Sequence, residues 1–119
     1  MPPVFIMTRI SILLLALATL SAAPSTQTFS GTITDDMCAT AGHASMRMGP
    51  TDADCTRACV ASHGAAYVLL AGKNVYALTD QKKPEGFAGQ QVKVVGTLDT
   101  RTRTIRVQSM TAVQPRASR

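Results

Sequence analysis

Pro84–Leu98 reads P-E-G-F-A-G-Q-Q-V-K-V-V-G-T-L. Its first six residues suit a single helical turn with Pro84 at the first position, where a missing N–H is tolerated. From Gln91 the pattern changes to alternation. Val92, Val94, Gly96 and Leu98 then share one face of a strand. Gly96 interrupts that face in mid-strand, where a small barrel bends sharply. The remaining strands have to be placed around this turn and its bent strand.

Downstream, Asp99–Arg103 is a turn and Thr104–Val113 a returning strand with Ile105 and Val107 on one face. Met110 falls out of that phase, which calls for a bulge near Ser109. Upstream, Y-V-L-L-A (Tyr67–Ala71) and Val75–Leu78 flank the turn Gly72-Lys73-Asn74, a β-hairpin. Gln27–Thr34 alternates Phe29, Gly31 and Ile33 against polar residues, giving a first strand with its own mid-strand glycine. The order is strand, insertion, strand, strand, helical turn, strand, strand. It predicts a mainly β chain, a small five-stranded OB-fold-like barrel over residues 27–113. A small SH3-like roll is the alternative.

The insertion, residues 36–64 between strands 1 and 2, holds every cysteine (Cys38, Cys55, Cys59), both histidines (His43, His63) and Met37, Met46 and Met48. Its first part, to Pro50, has no period and reads as an irregular loop. Thr51-Asp52-Ala53-Asp54 then reads as a helix start, with a capping side chain and acidic first-turn residues that suit the helix dipole. The helix runs to Ser62 or His63, and Gly64 stops it.

The spacing is C-x4-H-x11-C-x3-C. Cys55 and Cys59, four apart on a helix, share a face toward whatever the loop brings over, and a regular helix does not let them join each other. One outcome is a tetrahedral Cys3His site of Cys38, His43, Cys55 and Cys59, which suits zinc; copper is the second metal, since Cu(I) favours soft sulfur and methionines lie nearby. The other is a disulfide from Cys38 to Cys55 or Cys59, closing a loop of about 17 to 21 residues for roughly 3 kcal/mol and leaving an odd thiol. The two stay open. His63 suits the helix C-terminus as a dipole partner, the methionines read as core filler, and Asp35-Asp36 as a strand-end turn.

The chain has 119 residues and a net charge of +5, enough for one domain whose small core benefits from a staple. Ile10–Leu20 is an apolar run after Arg9, followed by Ser21, Ala22 and Ala23. Residues 1–23 therefore read as a secretory signal peptide, with Met1 or Met7 as the start and cleavage between Ala22 and Ser25. The run is short for a bilayer span, which argues against a retained membrane anchor. The expected location is periplasmic or secreted, where disulfides persist. Residues 114–119 read as a disordered tail. Basic charge on an OB-like scaffold invites a nucleic-acid reading, but past the signal only Phe29, Tyr67, Tyr76 and Phe87 remain for stacking, and export removes the chain from cytosolic nucleic acid. There is no C-x-x-C pair, no haem attachment motif and no orienting group for a Cys-His nucleophile. The expectation is a non-enzymatic protein without catalytic residues. A thiol-redox protein using Cys55 and Cys59, with Cys38 as resolving partner, is the enzyme-class alternative.

G-T-I-T-D-D-M-C (Gly31–Cys38), His43, C-T-R-A-C-V (Cys55–Val60), Y-V-L-L (Tyr67–Leu70) and V-K-V-V-G-T (Val92–Thr97) resemble an uncharacterised bacterial exported family, a domain of unknown function with a G-x-I-x-D-x-x-C start, a following His and a C-x3-C segment. The resemblance spans about Phe29 to Met110. It implies an exported OB-like domain and no established activity. Where members often have Gly after the first Cys, this chain has Ala39, which leaves the ligand set intact.

Overall fold

The structure is a computed structural model that describes residues 24–45 and 47–113, with Ser45 described in its backbone alone. Residues 1–23, read above as a signal peptide, and 114–119, read as a tail, lie outside the described residues. Among the described residues there are five strands: β1 (Gln27–Asp35), β2 (Tyr67–Ala71), β3 (Asn74–Leu78), β4 (Gln91–Asp99) and β5 (Thr104–Ala112). They close into a ring in the order β1-β2-β3-β5-β4.

β1 is the shared strand of this ring. Its first part pairs antiparallel with β4, from Gln27 opposite Gly96 to Thr32 opposite Gln91. Its last part pairs with β2, from Thr32 opposite Leu70 to Asp35 opposite Tyr67. The opposite seam, β3 against β5, is parallel and only two residue pairs long, Ala77 with Thr104 and Leu78 with Ile105. The ring is therefore uneven, firmly laddered at β4–β1–β2 and pinched at β3–β5. This order is that of the OB-like barrel and not of the SH3-like roll.

Alternation along the strands makes the core. Ile33, Leu69, Val92, Val94 and Ile105 are fully buried, with Tyr67, Leu78, Ala88 and Met110 packed around them. The phase break before Met110 is a bulge: Val95 faces Ser109 while Gly96 faces Val107, leaving Gln108 unopposed. Both mid-strand glycines are steric necessities. A Cβ on Gly31 would lie 2.5 Å from the Leu70 carbonyl oxygen, and one on Gly96 would collide with the Arg106 carbonyl.

The helix α1 (Asp52–His63) crosses from β1 to β2. The Thr51 hydroxyl caps it by accepting the Asp54 amide at 3.1 Å, and Gly64 ends it at φ 65°. Ala53 and Val60 pack against the barrel core. Arg57 donates to the Glu85 carbonyl at 3.1 Å, tying the helix to the short 3-10 turn Lys83–Phe87 that carries Pro84. The opposite side of the helix faces the loop that follows β1.

Gly31→Ala is expected to destabilise the protein by about 1–3 kcal/mol through overpacking. Gly86→Ala, where an added Cβ meets nothing within 4 Å, is expected to stay within about 0.5 kcal/mol of the parent. Urea unfolding midpoints at constant m-value measure both.

Candidate metal centre

β1 does not end where its apolar alternation ends. Phe29, Gly31 and Ile33 point inward, and the next residue in that phase is Asp35, fully buried. Its carboxylate turns the chain: Oδ2 accepts the amides of Met37 at 3.2 Å and Cys38 at 3.0 Å. The Asp35 carbonyl accepts again from Cys38 and Ala39. Asp36 runs one step further, donating its amide to the Ala66 carbonyl and accepting the Ala66 amide through Oδ1 at 3.1 Å. The result is a tight turn that swings Cys38 over α1.

There Cys38 meets Cys55 and Cys59, which share the loop-facing side of α1 as their four-residue spacing requires. The three sulfurs, with Ala65, form a second buried cluster, and Met48 and Val60 pack against it. Met48 adds two contacts of its own. Its amide donates to Cys55 Sγ at 3.4 Å, and its thioether lies 3.7 Å from Cys59 Sγ. His43, in the 3-10 turn His43–Ser45, lies against β1, its Nε2 3.3 Å from the Thr34 hydroxyl.

The donor atoms fall into two overlapping triads. Cys38, His43 and Cys55 form one, and Asp35, Cys38 and Cys59 the other; within each, one donor atom per residue lies within 4.8 Å of the other two. All four residues expected from the sequence are thus brought together close enough to bind a metal, each as a member of at least one triad. Asp35 is a fifth donor that the spacing of Cys and His alone does not reveal. The signal for it is a carboxylate in the apolar phase of β1. The disulfide alternative is not what the structure forms: no two of the three cysteines are joined. His63 is exposed at the end of α1 and belongs to neither triad, Met37 is exposed, and Met46 lies outside the described residues.

Two buried polar atoms here have no hydrogen-bond partner, Asp35 Oδ1 and His43 Nδ1. Leaving such atoms unsatisfied away from water is costly. Burial, the neighbouring Asp35 carboxylate and the Cys59 thiol push the Cys38 thiol from an ordinary 9.0 up to about 12. Burial and Asp35 also raise Cys59. Without a cation, these sulfurs remain protonated and poorly nucleophilic at neutral pH.

No family profile, curated protein or solved structure matches this chain.

In the metal-free, reduced protein the folded state holds the Cys38 proton more firmly than the unfolded state does. Stability is therefore expected to be flat below about pH 9 and to fall as pH rises toward 12. Urea unfolding across that range tests this, and Cys38→Ala is expected to flatten the slope. Alkylation of the three thiols at mild pH is expected to be slow until denaturant is added.

Proposed function

We propose that this chain is a small exported, non-enzymatic domain whose loop-and-helix insertion binds a metal ion, zinc in first place. The observation that carries the reading is the convergence of three thiols and an imidazole, together with a buried carboxylate, on one side of α1. Zinc accepts thiolate, imidazole and carboxylate in one shell. With Nε2–H donated to the Thr34 hydroxyl, the His43 Nδ1 lone pair is left for the ion, the second-shell arrangement usual for metal-bound histidine. An ion there would tie the loop after β1 to α1, giving a small domain the staple that its core size calls for.

The export assignment rests on the charged, apolar and small-residue order of residues 1–23 and on the likeness of the G-x-I-x-D-x-x-C and C-x3-C segments to an exported family. The raised thiols speak against the thiol-redox alternative, because a reactive cysteine needs a depressed pKa. A second metal reading has one specific support. The Met48 thioether beside Cys59 adds a soft donor, which suits Cu(I) and a copper-handling role.

Elemental analysis and thiol counting on protein isolated from the exported fraction test the proposal. Stoichiometric metal with three protected thiols is the expected result; absence of metal with alkylatable thiols overturns it. Thr34→Val is expected to weaken zinc binding by about 10–100-fold, and Cys55→Ser by more, both measured by competition with a chromophoric chelator.

A further inference from the structure

The two triads share one atom, the Cys38 sulfur, and this sharing limits what one ion can do. A zinc ion with bonds of about 2.0–2.3 Å holds donors no further apart than about 4.6 Å. Among the described residues, groups of three donors fall within 4.8 Å of one another, and no group of four does. His43 and Cys55 stand with Cys38 in one triad, Asp35 and Cys59 with Cys38 in the other. Each triad also has its own buried atom without a hydrogen bond, His43 Nδ1 in the first and Asp35 Oδ1 in the second.

Charge points the same way. As ligands, Cys38, Cys55 and Cys59 carry one negative charge each and Asp35 a fourth, while His43 is neutral. Asp35, Cys55 and Cys59 are 0% exposed and Cys38 4%, so water does little to screen them. A single ion bound by Cys38, His43 and Cys55 would leave the Asp35 carboxylate as an uncompensated buried charge beside a protonated Cys59, at a desolvation cost. Two divalent ions neutralise all four charges. The Asp35 carboxylate is held in place by two amides on Oδ2, and its Oδ1 is buried with no hydrogen bond.

We infer that the centre is binuclear, holding two divalent ions of the zinc class bridged by the Cys38 thiolate, one bound by His43 and Cys55 and the other by Asp35 and Cys59. This rests on the metal-binding reading above and adds a stoichiometry, a bridging atom and a fifth ligand. The first ion sits beside half-buried His43, on the more open side. The second sits at the fully buried end, where the Met48 thioether flanks Cys59.

The test titrates the reduced, metal-free full chain with Co(II), following the thiolate-to-metal absorption and the electron paramagnetic resonance signal. Two equivalents are expected at saturation, with the resonance amplitude per cobalt falling as the second binds, because a shared thiolate couples the two spins. Asp35→Asn keeps an acceptor for the two turn amides but removes the charge. It is expected to bind one equivalent, uncoupled, with the absorption of the Cys38–His43–Cys55 ion retained. Cys59→Ala, which leaves the turn untouched, is expected to do the same. Circular dichroism confirms that each variant is folded. One equivalent in the parent chain, or two that do not couple, overturns the binuclear centre while leaving metal binding intact. No bound cobalt overturns both readings.

Discussion

A single carboxylate oxygen, Asp35 Oδ2, is the joint on which the insertion turns. By accepting the amides of Met37 and Cys38, it ends β1 and reverses the chain within three residues. The barrel needs β1 to stop at this point, because Asp35 is the last residue paired with β2. The candidate metal site needs the turn, because Cys38 is the one donor that both triads share. A buried carboxylate without such amides would be expensive; with them it becomes part of the backbone's own hydrogen-bonding network. Replacing Asp35 by an apolar residue would take the side-chain acceptor from the Met37 amide and leave the turn at Cys38 to the Asp35 carbonyl alone.

Local rules explain much of what surrounds that joint. The alternation in Gln91–Leu98, the hairpin around Gly72 and Lys73, the Thr51 cap and the Gly64 stop are written in short windows, and each falls within a residue or so of its expected place. Gly31 and Gly96 were legible for the same reason. Their neighbours across the ladder, the Leu70 and Arg106 carbonyls, come too close to admit a Cβ. Cys55 and Cys59 share a helix face by simple periodicity.

What short windows do not carry is the way β1 and the loop after it share the donors. Asp35 looks like punctuation between a strand and a loop until its inward phase is traced from Phe29 through Ile33. His43 gains its meaning from Thr34, and Met48 from Cys55 and Cys59. All of these contacts depend on how an aperiodic loop lies over a helix, and no repeat or propensity encodes that path. The grouping into triads is likewise a property of three-dimensional distances, which the C-x4-H-x11-C-x3-C spacing leaves undetermined.

The two-sided pairing of β1 also sets an order of assembly. The β2–β3 and β4–β5 ladders join neighbours in sequence and close small loops, which is fast. β1 has no such neighbour. It must find β4 across most of the chain, with Gln27 opposite Gly96, and β2 across the whole insertion. Its docking is therefore the slow, entropically demanding step. Cys38 and His43 follow β1 in the chain, so seating β1 also fixes where they meet Cys55 and Cys59 on α1. The slow step of barrel assembly is thus also the one that anchors the strand end from which the candidate donors Cys38 and His43 leave.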